Sequence, residues 1–142
     1  IYPQSYDLPF RRMQAKLRAF LELPPKVFAR YPMSDRSVPA RIARIVAWYR
    51  MPETDKALEQ MDALLKELPN DAFLYDLKGQ ILFESGRIEA ARKAYAQAAR
   101  LKPDSALILT SLAEAELAGK DQGAARNAVS ILERATALDS SH

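Results

Sequence analysis

Apolar residues recur along most of the chain at steps of three and four, the spacing that places them on one face of an α-helix. Proline and glycine interrupt this spacing at Pro52, Pro69, Gly86 and Pro103, and again in the turn over residues 119–123. No segment alternates apolar and polar residues between turn signals, so no strand is predicted. The pattern therefore predicts an all-α protein. The helices predicted in this region span residues 38–51, 54–67, 72–85, 88–101, 105–118 and 123–138.

A further amphipathic helix is predicted near the N-terminus, with Asp7 as its N-cap, Pro9 in its first turn and Pro24-Pro25 at its end. A short helical turn is expected over residues 26–31, and a linker over residues 32–37. The apolar positions of this N-terminal helix are Phe10, Met13, Leu17, Phe20 and Leu21.

Residues of the same kind recur at a period of 34, which is typical of helix-turn-helix repeats. We therefore divide the chain into an N-terminal helix and linker (1–37) and three repeat units (38–71, 72–105 and 106–142). In the third unit the second-helix pattern comes three residues late, so we predict an insertion in its turn, residues 119–123. The pairs that define the period are Ala57 and Ala91, Met61 and Tyr95, Leu64 and Ala98, and Pro69 and Pro103.

The middle unit resembles the tetratricopeptide repeat (TPR). Small residues at Gly79 and Ala91 would allow its two helices to approach closely, and Tyr95 would fill the space beside them. The resemblance implies three TPR hairpins in a short right-handed solenoid. The first unit departs from the pattern at Arg41 and Arg44, as expected of an atypical terminal repeat. The positions that carry the resemblance are Tyr75, Gly79, Gly86, Ala91, Tyr95, Ala98 and Pro103.

In TPR folds the first helix of each hairpin lines a concave groove, so the resemblance implies a peptide-binding groove in this chain. Apolar and aromatic members would hold an extended or helical peptide by packing, and polar members would fix its register. A second interpretation remains open, in which the same apolar groups pack on the N-terminal helix or on the rest of a longer chain. The groove positions are Ile42, Val46, Tyr49, Arg50, Asp76, Gln80, Phe83, Glu84, Thr110, Glu114 and Leu117.

No catalytic, metal or cofactor site is predicted in the sequence. The absence of cysteine excludes disulfides and thiolate zinc sites, and a zinc peptidase motif needs two histidines where the chain has only His142. Phosphate loops, nucleophile elbows and calcium loops are also missing. We therefore expect a chain that is not itself an enzyme and binds no cofactor. The share of apolar residues, 49%, is ordinary, and no run of them is long enough to span a membrane.

Charge is distributed unevenly along the chain. Residues 1–50 contain ten Lys/Arg and three Asp/Glu, a net charge of +7, whereas residues 51–142 have a net charge of −4. Nucleic acid is not a predicted partner, because the clustered Arg11, Arg12, Lys16 and Arg18 fit the solvated face of a helix. The basic half is instead expected to face an acidic partner.

Three segments resemble a narrower family, the BepA-like bacterial HExxH zinc metalloproteases that carry TPRs after their catalytic domain. These segments are residues 12–21, Ala29-Arg30-Tyr31-Pro32 and Ala47-Trp48-Tyr49-Arg50-Met51-Pro52. The resemblance implies that this chain is the substrate- or partner-recruiting tail of such a protease, acting in the cell envelope or periplasm. Zinc would then belong to the catalytic domain of the parent protein, which would itself be a possible partner.

Two alternatives remain open beside the protease tail. One is a free-standing TPR adaptor or chaperone, which allows a cytoplasmic location. The other is a self-associating module, in which apolar ends of a short repeat array are covered in a homodimer.

Overall fold

The computed structural model describes residues 4–119 and 123–140, and within these ranges the chain forms eight α-helices and no strand. The all-α prediction is therefore confirmed, and each of the six helices predicted in the repeat region ends within two residues of its observed bounds. None of the helices in the described ranges is long and apolar enough to cross a membrane. The chain divides into two compact units, the first ending at Glu67 and the second beginning at Leu68.

The first unit contains four helices, and the third of them is central. Helices α1, α2 and α4 each pack against α3. The described part of the predicted N-terminal segment, residues 4–37, falls in the same compact unit as α3 and α4, because α1 and α2 pack against α3. The helices are α1 (Gln4–Leu21), α2 (Pro24–Arg30), α3 (Val38–Arg50) and α4 (Thr54–Glu67).

Two details of the N-terminal region differ from the prediction. Helix α1 already includes Gln4, so Asp7 lies inside the helix rather than at its N-cap. Helix α2 begins at Pro24, so the Pro24-Pro25 pair starts a helix as well as ending the preceding one. Proline is well suited to the first turn of a helix, because the amide hydrogen it lacks would have no partner there. Further along, the hydroxyl of Ser37 accepts a hydrogen bond from the Ala40 amide at 3.3 Å and caps α3.

The second unit consists of two helical hairpins. Helix α5 packs on α6, α7 packs on α8, and α6 also packs on α7. Side chains cap the first helix of each hairpin: Asp71 accepts from the Leu74 amide, and Ser105 from the Ile108 amide, both at 3.2 Å. The helices are α5 (Ala72–Glu84), α6 (Ile88–Leu101), α7 (Ala106–Ala118) and α8 (Ala124–Ser140).

The last hairpin keeps the register that the predicted insertion requires. Ala128 and Ala135, which follow Ala91 and Ala98 by 37 residues, are buried, whereas Ala125 is exposed. Three extra residues between the helices thus bring the small side chains of α8 onto α7. Residues 120–122 of that turn, and the terminal His142, lie outside the described residues.

Candidate protein-binding face

The predicted groove residues of the first unit do not form an open surface. Ile42 and Val46 are fully buried on α3, and Tyr49 is half-buried. Arg50 points its guanidinium at α1, where Nη1 donates to the carbonyl oxygens of Ala19, at 2.8 Å, and Glu22. The packing interpretation thus holds for these positions, because α1 occupies the side of α3 that a ligand would need.

Two arginines on α3 bind the exposed carbonyl ends of the helices that pack on it. Arg50 donates hydrogen bonds at the C-terminal end of α1. Arg44 donates at the end of α2, to the carbonyls of Pro32 at 2.8 Å and Tyr31 at 3.2 Å. The last carbonyls of a helix have no partner within it and carry partial negative charge, so a guanidinium there satisfies both hydrogen bonding and charge. The departure of the first unit from the TPR pattern at Arg44 therefore has a structural reason.

The aromatic segment of the first unit also serves packing. The ring of Trp48 lies 5.3 Å from that of Phe28 on α2, measured between centroids, and the Lys56 ammonium lies 5.4 Å from the Trp48 ring. Together with the hydrogen bonds of Arg44 and Arg50, these contacts explain the segments around residues 29–32 and 47–52 as packing elements of the first unit.

The predicted groove residues of the second unit remain at the surface of α5 and α7, two helices that contact each other. Glu84, Glu114 and Leu117 are exposed, and the other four are half-buried. We call this surface the α5–α7 face. Its members are Asp76, Gln80, Phe83, Glu84, Thr110, Glu114 and Leu117.

The floor of the α5–α7 face depends on a close approach between α5 and α6. A Cβ atom placed on Gly79 would lie 2.6 Å from Cδ1 and Cε1 of Tyr95, which is well inside van der Waals contact. The aromatic ring of α6 therefore rests directly on the backbone of α5, and only glycine allows this spacing. The sequence predicted this contact from the paired small and aromatic positions.

Tyr95 links the two helices of the face electrostatically, a role that the sequence prediction missed. Burial is the main cause of a raised pKa for its hydroxyl, and the carboxylates of Asp76, Glu114 and Glu84 raise it further. Two of these carboxylates come from α5 and one from α7, so charges on both helices act on the pKa of the same hydroxyl. The sequence pointed to Tyr95 through its position one repeat after Met61, but that position gave no information about the charges around its hydroxyl.

Local hydrogen bonds hold two polar members of the face. The Gln80 amide Nε2 donates to Glu84 Oε1 at 3.3 Å, and the Thr110 hydroxyl donates to the Ala106 carbonyl at 2.8 Å. Outside the face, Glu116 of α7 lies 3.7 Å from Arg92 of α6, which also pairs with Glu89. Glu116 therefore faces Arg92 of α6, whereas Glu114, two residues earlier, is exposed on the α5–α7 face.

The chemistry of the α5–α7 face is that of a binding surface. It combines exposed apolar groups with carboxylates, and the described residues contain no group of three or more acidic or histidine side chains placed to hold a metal. Two shallow apolar depressions lie elsewhere, along α8 around Val129 and Glu133. Both are formed by side chains of that one helix and enclose no site.

Comparisons with known proteins support the repeat and its fold. Residues 79–117, which run from α5 through α6 into α7, match the family model described as TPR repeat. A search of curated protein sequences found no match. Among solved structures, "MamA RS-1 ArsTM double mutant" matches with a TM-score of 0.66 at 18% identity, covering 90% of this chain and 67% of that chain. A second, "MamA MSR-1 C2", matches with a TM-score of 0.40 at 16% identity and 97% coverage of both chains.

These similarities concern structure only. At such identities they show a shared fold, and the second match, with its low TM-score, adds no argument. The family model and the two structures named above concern neither a metalloprotease nor a compartment, so the predicted protease parent and envelope location gain no support from them. The chain therefore has an all-α helical-repeat fold, and its residues 79–117 match the model of a TPR repeat.

Proposed function

We propose that the chain is a protein-interaction module that binds a polypeptide segment on the α5–α7 face. The observation that carries this proposal is that carboxylates and apolar side chains stay together at the surface of two helices that contact each other: Asp76, Phe83 and Glu84 on α5, and Glu114 and Leu117 on α7. Apolar groups contribute affinity and charged groups fix register and partner choice. A TPR fold is generally non-catalytic, which agrees with a binding role.

The acidic character of the face defines the ligand class that fits it. A segment with Lys or Arg beside apolar side chains would satisfy both features, whereas an acidic terminus would be repelled. The carboxylates would favour binding most at low salt, because exposed charges are screened as ionic strength rises.

A free-standing adaptor or a self-associating module agrees better with these observations than a protease tail does. In both, the face itself carries the function, and the TPR match includes the helices that form it. The protease-tail hypothesis rests on packing segments of the first unit that contact α1 and α2. It stays a prediction from resemblance.

Selection of peptides from a random library tests the proposal even though the natural partner is unidentified. A displayed library is selected on the wild-type chain, and the dissociation constants of the selected peptides are measured for wild type and three variants. Phe83→Ala and Glu114→Lys change the face, and Lys93→Ala changes an exposed position of α6 as the matched control.

We expect the selected peptides to be rich in basic and apolar residues. Each face variant should weaken binding by about tenfold, the loss typical of a central contact residue, while Lys93→Ala should leave it unchanged. Peptides that bind all four proteins equally would place the binding site elsewhere and contradict the proposal.

A further inference from the structure

Helix α1 presents four of its large apolar side chains to solvent. Its buried side is made of small residues, with Ala15 1% and Ala19 0% exposed. Four large apolar residues are exposed instead: Phe10 (69%), Met13 (40%), Leu17 (53%) and Leu21 (83%). We call these four residues the α1 stripe.

The spacing of the α1 stripe is that of a helix-in-groove ligand. Phe10, Leu17 and Leu21 differ by seven and four residues, so they follow one line along the helix, and Met13 lies beside them. A row of this kind is the pattern by which an amphipathic helix anchors in an apolar groove. An exposed row of large apolar side chains is also an unfavourable surface for a free chain, which marks it as an interaction site.

Charge at the edge of the α1 stripe selects among possible partners. Arg11 and Arg18, seven residues apart, lie along the same side of the stripe. Pairing of two α1 helices would place these like charges against each other, which disfavours a symmetric contact. An acidic surface with apolar groups would complement both features.

The same chain carries such a surface. The α5–α7 face has exposed Glu84 and Glu114 beside Phe83 and the 55% exposed Leu117. Residues 1–50 and 51–142 also differ in net charge, +7 against −4, so the complementarity extends beyond these few residues. A second copy therefore offers the stripe a partner matched in polarity and in charge.

We infer that the α1 stripe of one copy docks on the α5–α7 face of a second copy. This inference rests on the proposed function and names the partner of the same face. The contact is heterologous, because two different surfaces meet, so each copy retains one free surface of each kind. Association therefore continues with concentration beyond a dimer unless the copies close into a ring.

A charge-swap experiment tests the inference in the intact chain. Sedimentation velocity is measured over a range of concentrations for wild type, for Arg11→Glu/Arg18→Glu and for Glu84→Lys/Glu114→Lys. The two altered proteins are also mixed in equal amounts. Lys66→Glu/Lys93→Glu, at exposed positions of α4 and α6, is the control with the same change in net charge as the arginine variant.

Each of the two charge-swap variants alone should associate at least about tenfold more weakly than wild type, because it places like charges against each other. The mixture should regain association, because the reversed α1 of one protein again meets a face of opposite charge. The control should associate like wild type. Circular dichroism of every variant checks that helix content is unchanged, as expected for substitutions at the surface.

Several results would overturn the inference. The inference is wrong if the wild-type protein stays monomeric at every concentration. It is also wrong if the mixture of the two charge-swap variants associates no better than either variant alone. Association that survives in the Glu84→Lys/Glu114→Lys protein would show that the α1 stripe meets another surface. If selected peptides still bind the α5–α7 face when the mixture fails, the proposed function stands and only the second copy is excluded as its partner.

Discussion

At the scale of single residues, one contact sets the geometry of the second unit. The ring of Tyr95 lies on Gly79, and burial together with the charges of Asp76, Glu114 and Glu84 raises the pKa of its hydroxyl. The side chain therefore has a packing role through its ring and an electrostatic role through its hydroxyl. Two substitutions separate these roles.

Gly79→Ala tests the packing role. Alanine would otherwise favour the helix, but its Cβ would lie 2.6 Å from the Tyr95 ring, so α6 must shift away from α5. We expect a loss of about 1–3 kcal/mol in the free energy of unfolding, the usual cost of overpacking, measured by urea denaturation. The same substitution in a Tyr95→Leu background should cost much less. An equal cost in both backgrounds would show that the ring is not the obstacle.

Tyr95→Phe tests the electrostatic role. Burial and the neighbouring carboxylates raise the pKa of Tyr95 above the ordinary tyrosine value of about 10. Its contribution to stability is therefore fully present below about pH 10 and is lost as pH rises further, because the unfolded chain releases the proton first. Between about pH 9 and pH 11 the free energy of unfolding should fall more steeply for wild type than for Tyr95→Phe. Parallel curves would contradict the raised pKa.

At the scale of helices, the first unit is held together by arginines that bind helix ends. Arg44 is only 4% exposed, and its Nη1 donates to two backbone carbonyls that follow α2. Asp35 lies nearby, and its pKa is lowered mainly by the Ser37 amide, which donates to Oδ1 at 3.0 Å. These contacts fix the segment between α2 and α3, which the sequence predicted only as a linker.

Arg44→Met tests this arrangement. The apolar replacement fills part of the same space but removes the Arg44 donor from the carbonyls of Tyr31 and Pro32, of which Pro32 keeps its hydrogen bond from the Asp35 amide. We expect a loss of about 1–3 kcal/mol in the free energy of unfolding, because the part-buried Tyr31 carbonyl loses its charged donor. Arg41→Met is the control: its ion pair with Glu67 is largely exposed on the glutamate side and should contribute less than about 1 kcal/mol. Similar losses for both variants would argue against the helix-end role.

The helices could be predicted from sequence because their signals are local. Pro69, Gly86 and Pro103 lie between the helices that they were predicted to separate, and the repeat period predicted the register of α8, in which Ala128 is buried. Three groove positions of the first unit could not be assigned in this way. The burial of Ile42 and Val46, and the use of Arg50 by α1, depend on a helix distant in sequence. A TPR pattern gives no information about whether an added helix covers the first repeat.

At the scale of the whole molecule, the two units differ in what they present. The first uses the predicted groove side of α3 for its own packing and exposes the α1 stripe. The second keeps the corresponding residues of α5 and α7 at its surface. All eleven groove residues were predicted to line one surface, but the four in the first unit lie on α3, which packs against α1, whereas the seven in the second unit lie at the surface of α5 and α7.

The central claim is that the α5–α7 face is where this chain meets another polypeptide. The most direct measurement places a photoreactive amino acid at Gln80, Glu114 or, as a control, exposed Lys93, and identifies the products after illumination in the native cells. We predict that Gln80 and Glu114 crosslink to the same polypeptide, whether a distinct protein or a second copy of this chain, and that Lys93 does not. Two results would contradict the account: a polypeptide captured from Lys93 but not from Gln80 or Glu114, or no crosslinked product from either face position.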